Sequence, residues 1–202
     1  MARDDIMPWD SANGGTSRTN VGYIAATEEF ERGEPVRVEE AGTITECADD
    51  PTALLFLGIA ANGPGHYTTA PINPRTNKYT GTQATWPVNT RVEVWIPSPG
   101  DKFITTNYAA TAGGGFGDVA PTGALIGDEI GINKIGNSWG LAADATNNIC
   151  RVYDVLNANK DSIMVTGETL TASTTQDSYY VVFEFVGHMS LPITGVASDT
   201  GA

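Results

Sequence analysis

The sequence predicts an all-β protein built from small antiparallel β-barrel or sandwich units, with an extended N-terminal arm and minimal helix. Three observations lead there. Several segments alternate apolar and polar residues, the period of a half-buried strand. Short apolar runs recur at close spacing with glycine between them, which favours a barrel or sandwich over layered helices. Only residues 27–32 and 155–161 look locally helical, each a turn or two long.

Residues 1–20 are small, polar and glycine-containing apart from Ile6, Met7 and Trp9, so they read as an arm carrying an apolar anchor. A first β unit spans 21–63. In it Val36 and Val38 alternate with Arg37 and Glu39, and Ile44 sits between two threonines. Glu40-Ala41-Gly42 supplies the turn. The run from Leu54 to Ala60 is continuously apolar, so a strand covered on both faces is expected there.

Residues 64–87 are rich in Gly, Pro, Thr and Asn and exceed the roughly 12 to 15 residues of ordinary connections. They read as a projecting loop or β-excursion with Tyr67 and Tyr79 as contact residues. A main barrel or sandwich follows over 88–190, then a tail over 191–202.

Within the main unit Val92, Val94 and Ile96 share one face, and Arg91, Glu93 and Trp95 the other. Pro97 and Pro99 end that strand because proline cannot donate to the ladder. A hairpin-like unit is expected around Gly100-Asp101. Further strand-sized pieces are Leu125-Ile126, Glu129-Ile-Gly-Ile, Trp139-Gly-Leu, Cys150-Arg-Val-Tyr-Asp-Val-Leu, Ile163-Met-Val and Ser178-Tyr-Tyr-Val-Val-Phe-Glu-Phe-Val.

The chain has 202 residues, enough to bury a core without a metal or disulfide staple. Charged residues make up 17%, below the roughly 25% of an average domain. Acids outnumber bases 24 to 11, a net charge of −13 that repels phosphate backbones and anionic lipid surfaces. Nucleic acid and membrane are therefore not expected partners. No apolar run approaches the ~20 residues that cross a bilayer, and the N-terminus does not lead into the apolar stretch of a signal peptide. Cys47 and Cys150 lie far apart without metal-binding spacing, and buried, reduced thiols suited to a reducing cytosol are the favoured reading.

Catalytic chemistry finds little purchase. Only His66 and His188 could serve as a histidine base, and neither has a nucleophile motif beside it. No clustered metal ligands occur, and the adjacent pairs Asp4-Asp5 and Asp49-Asp50 read as solvated. Gly113-Gly-Gly-Phe-Gly-Asp118 lacks the Lys-Ser/Thr and helix N-terminus of a phosphate loop. It reads as a flexible loop with Phe116 at its tip. A carboxylate pair at about 5 to 9.5 Å, as sugar hydrolysis requires, remains open among so many acids. No enzyme activity, cofactor or metal is expected.

Phe30, Gly33, Pro35 and Val36, then Gly42, Asp49-Asp50-Pro51 and Leu57-Gly-Ile-Ala60, form an ordered set of turn and strand patterns. With the segments from Arg91 to Phe103, Leu125 to Ile132, Trp139 to Leu141, Arg151 to Leu156 and Val182 to Phe185, this order resembles the head decoration (cement) proteins of tailed bacteriophages. The likeness spans roughly residues 28 to 186, and the 64–87 loop departs from it. What the resemblance implies is a structural virion protein, made in the bacterial cytoplasm, that binds the outer surface of an assembled capsid. Its partners would be the major capsid protein and itself, as a homotrimer or alternatively a dimer. Ile6, Met7 and Trp9 would insert between capsid subunits, with Tyr67, Tyr79 and Phe116 as exposed contacts.

Other functional readings are a virion-borne carbohydrate- or receptor-binding module using Trp86, Trp95 and Trp139, a tail-tube or head-completion subunit, and a carboxylate hydrolase.

Overall fold

The computed structural model describes residues 6–10, 19–25, 30–39, 42–53, 55–62, 91–111, 113–173 and 178–186. The 64–87 loop with Tyr67 and Tyr79, both histidines, Trp86, Asp4-Asp5, the Glu40-Ala41 turn positions and the 191–202 tail lie outside them.

The fold is all-β. Twelve strands are described: β1 Ile6–Asp10, β2 Thr19–Ala25, β3 Pro35–Val38, β4 Thr43–Glu46, β5 Gly58–Ala60, β6 Arg91–Trp95, β7 Lys102–Thr105, β8 Tyr108–Ala109, β9 Glu129–Ile135, β10 Ser138–Ala142, β11 Cys150–Asn157 and β12 Tyr179–Phe185. A 3-10 turn at Gly123–Leu125 and a one-turn helix α1 at Ile163–Thr166 complete the elements.

Five strands close a barrel in the order β2-β4-β3-β5-β6, with β2 returning to β6. Its interior holds Phe30, Val36, Ile44, Leu57, Ala60, Val92 and Val94. The predicted alternation of Val92 and Val94 with Arg91, Glu93 and Trp95 sets which side chains enter the core. Gly58 lets β5 and β6 approach closely, since a Cβ there would lie 2.8 Å from Val94 Cγ1 and run into the Trp95 carbonyl.

Seven strands form an open sheet in the order β1-β7-β12-β11-β9-β10-β8, antiparallel except for the parallel β10–β8 pair. One face carries the main core, including Ile6, Phe103, Ile132, Trp139, Leu141, Val152, Val181 and Phe183. Cys47, Phe56 and Ile59 of the barrel unit join this same core. The Phe56 ring stacks on Phe185 at 4.6 Å, and Phe103 meets Phe185 edge-on at 5.1 Å. The other face carries a smaller cluster of Ile104, Leu156, Tyr180 and Val182, with Met7 against it.

Several sequence expectations change. Strand β6 belongs to the first barrel through its pairing with β2 and β5, so the boundary near residue 88 does not separate the two units. The turn at Gly100-Asp101 makes no hairpin. It carries the chain from barrel to sheet, held by Asp101 N–H to the Ser98 carbonyl and Ser98 N–H to the Asp101 carboxylate.

The run before Ala60 is a strand only over its last three residues, and Leu55 is exposed in the turn ahead of it. A continuous apolar run does not distinguish strand from core-facing turn. Ile163-Met-Val is helical and Leu125 ends a 3-10 turn, whereas residues 155–157 complete strand β11. Of the other segment expected to be helical, residues 30–32 are described, and they lie outside every helix. Tertiary pairing outweighs such short propensities.

Candidate functional site

The chemistry-bearing side chains gather where barrel and sheet meet. Strand β4 ends on Glu46, and β9 and β10 bring Lys134 and Trp139 opposite it. The Lys134 ammonium donates to both oxygens of the Glu46 carboxylate, and the Trp139 indole N–H donates to Oε1 at 2.7 Å. A second barrel-unit carboxylate, Glu34, acts on Glu46 through its charge. Glu34 is wholly buried and accepts the Glu31 N–H at 2.9 Å. Burial, reinforced by the Glu34 charge, holds the Glu46 carboxyl above its ordinary value of 4.5, with the Lys134 and Trp139 hydrogen bonds working against that rise.

Beside this pair, Asp49 accepts the Lys134 N–H at 2.7 Å. Asp50, in the left-handed region at φ 51°, accepts the N–H groups of Thr146 and Asn147 at 3.0 Å each. The Asn147 amide returns a bond to the Asp50 carbonyl at 2.8 Å. The Asp49-Asp50 pair is therefore a joint between the units, correcting its reading as merely solvated. Adjacent carboxylates do point apart: Asp49 meets β9 at Lys134, and Asp50 meets the loop between β10 and β11. Gly131 permits the approach, for a Cβ there would meet the Asn147 carbonyl at 2.7 Å and collide with Ala145.

The predicted contact residues divide. Ile6 is wholly buried, pairing with Thr105 in the sheet and donating its N–H to the Gly33 carbonyl of the barrel unit. It is a core residue, and residues 6–10 are an integral edge strand. Met7 is half-buried against the outer-face cluster. Trp9 is 42% exposed, with the Lys160 ammonium 5.5 Å from its ring centre.

Phe116 is 8% exposed and so is no loop-tip contact. Its ring closes on Gly140, where a Cβ would lie 2.8 Å from it. Trp139 is buried within the core, and Trp95 lies under the Arg32 guanidinium at 5.1 Å. Cys47 and Cys150 are free and buried, and burial pushes both thiols well above their ordinary range.

Both sheet edges are closed to strand addition. On β1 the outward Ile6 N–H is bonded to Gly33 and the next outward position is Pro8, which has no N–H. On β8 the Tyr108 carbonyl accepts the Gly117 N–H from the glycine-rich segment.

Sequence reasoning missed Glu46, Lys134, Asp50 and Asn147. Their partners lie 88 and 97 residues away along the chain, beyond the reach of any spacing motif. Among the described residues no group of three or more His, Cys, Asp or Glu side chains could hold a metal ion, and no helix is long and apolar enough to cross a membrane.

Fold and site together define a two-unit all-β protein in which partly buried and exposed charged side chains and buried aromatic rings join a closed barrel to an open sheet. No family model, curated protein or solved structure matches this chain.

Proposed function

We propose that this chain is a structural virion protein, a decoration protein that binds the outer surface of an assembled phage capsid and ties neighbouring major capsid subunits together. The observation that carries the reading is how its ionisable groups are used. Glu46, Asp49 and Asp50 direct their oxygens to donors within the protein, and these bonds tie the two units to each other.

An acidic body of two joined units suits adhesion by shape to a basic partner, because complementary charge steers encounter and fixes register. Repetition over a symmetric shell then raises weak single contacts to high avidity. Ligands that bind only the assembled state stabilise it by mass action. Self-association as a trimer, with a dimer as the alternative, fits the same role. The contacts belong to exposed side chains of this body, since Ile6 is committed to the core.

The test is to add purified protein to phage heads lacking it, sediment the heads and image them. Density for this chain on the outer surface is the expected result. Heads that sediment bare would overturn the reading, and tubes or rings formed without any shell would favour a tail or head-completion subunit.

A second reading rests on the charge interaction between Glu34 and Glu46, two carboxylates of which Glu46 is raised above its ordinary value, first by burial and then by the Glu34 charge. A glycoside hydrolase would need one as acid and the other as base or nucleophile. The Lys134 and Trp139 donors on Glu46 weigh against it. Turnover of a polysaccharide that vanishes in Glu46→Gln would establish it.

A further inference from the structure

We propose that the one-turn helix α1 is the docking knob for the partner, with Met164 and Val165 entering an apolar hollow flanked by lysine or arginine on a protein surface. This rests on the capsid-binding reading and names the part of the molecule that performs it.

Met164 is 67% exposed and Val165 86%, the two most exposed large apolar side chains among the described residues, and they are chain neighbours. Single exposed apolar residues are ordinary on any surface, but an adjacent pair held out by a rigid support is not. The support is specific. Ile163 is buried beneath the helix, and Gly167 in the left-handed region returns its N–H to the Ile163 carbonyl at 2.8 Å. Ser162 just ahead of the helix is fixed by its hydroxyl to the Asp154 carboxylate at 2.8 Å and by its bridge to Leu156. Gly123 supplies a bare backbone surface at Met164, since a Cβ there would lie 2.9 Å from the Met164 sulfur. The backbone of a knob held this way loses little conformational freedom on docking, so the ordering cost is confined to the side chains, chiefly Met164.

Charge selects the occupant. Residues 113–173 hold seven acids, Asp118, Asp128, Glu129, Asp144, Asp154, Asp161 and Glu168, against three bases, Lys134, Arg151 and Lys160. Lys134 is paired with Glu46 and Arg151 with Glu129 at 2.7 Å, which leaves Lys160, exposed over the rings of Trp9 and Tyr180, as the one of these three bases without a carboxylate partner among the described residues. Asp161 and Glu168 flank the knob and are both exposed. A second copy that met this face with the same face would bring the same acids and be repelled, so the complementary surface is basic around an apolar centre.

The experiment measures binding of the full chain to heads stripped of it, for the native protein and for Met164→Ser/Val165→Ser, together with sedimentation velocity of the free proteins. The expected result is native binding that weakens as salt rises from about 0.05 to about 0.5 M. The double variant should bind at least about tenfold more weakly, as truncating a central anchor does, with an unaltered thermal midpoint. Should the double variant lose its fold, Val165→Ser alone carries the same test. A variant that binds as tightly as native overturns the knob and leaves the decoration reading standing. Native protein that fails to bind overturns that reading and the knob's partner with it. A variant that changes only its own oligomeric state assigns the knob to self-contact and overturns the proposal.

Discussion

Glu46 and Lys134 meet across the joint between barrel and sheet, the ammonium lying within hydrogen-bond reach of both carboxylate oxygens, at 2.7 Å from Oε2. The side chains are only 17% and 25% exposed, so solvent does little to replace the pair if it is broken. Lys134→Met removes the charge while keeping most of the stem. It leaves Glu46 facing burial and the Glu34 charge with Trp139 as its remaining side-chain donor. Urea unfolding at neutral pH should report a loss of about 1.5 to 3 kcal/mol, the range for hydrogen bonds to charged groups. The loss should shrink in acid, where the carboxyl takes up a proton.

The same carboxyl makes stability depend on pH in a defined direction. Its folded value is raised above 4.5, so between 4.5 and the raised value the folded state binds more protons than the unfolded state. Stability from this group is fully present below 4.5 and is lost as pH rises through the folded value. Glu46→Gln abolishes the titration. The thermal midpoint of the native protein minus that of the variant should therefore fall as pH is raised across this window. A difference that rises or stays flat would contradict the assigned cause.

Asp50 holds the other side of the joint. Asp50→Ala removes the acceptor for two backbone N–H groups and places alanine at φ 51°, which Asp and Asn tolerate better. Unfolding should show a loss of about 1 to 3 kcal/mol for the stranded donors. Asp50→Asn, which retains an oxygen and suits the backbone, should lose clearly less.

Cys47 and Cys150 should be silent toward a disulfide reagent in the native protein. Burial raises both thiols, with the Arg37 charge offsetting part of the rise at Cys47, so thiolate is scarce at neutral pH. Denaturation should release both thiols at once. Rapid reaction of either in the native state would show that the core opens locally.

Much of the fold was legible because strands announce themselves locally. Val92 and Val94 on one side of Arg91–Trp95 and the almost continuously apolar run of Tyr179–Phe185, covered on both faces, both lie in the sequence as they lie in the sheet. What was not legible is pairing at a distance. Nothing local says that Arg91–Trp95 closes a barrel with Thr19–Ala25, or that Glu46 meets a lysine 88 residues on. Ile163-Met-Val reads as a strand by its β-branched, apolar character, yet Gly167 in the left-handed region and Ser162 held by Asp154 make it a helical turn. Of the apolar residues in the N-terminal segment, Ile6 goes into the chain's own core and not to a partner, while Trp9 stays partly exposed. An apolar residue in a polar segment signals burial without saying whether the buried surface is a partner's or the chain's own.

That distinction gives the last prediction. Ile6 contributes its side chain to the main core and its N–H to the Gly33 carbonyl at 3.2 Å, so the edge strand ties the sheet to the barrel unit. Removing residues 1–10 would expose the flank of Lys102–Thr105 and leave the Gly33 carbonyl without that donor. Ile6→Ala should lower stability by about 2 to 5 kcal/mol, the cost of a large-to-small change in a packed core. Trp9→Ala, at a side chain 42% exposed, should cost much less, chiefly the contact with Lys160. Chemical denaturation of the two variants checks the contrast. If Ile6→Ala left stability unchanged, the first strand would be an appended arm after all, and capsid contact would again be the best account of its apolar residues.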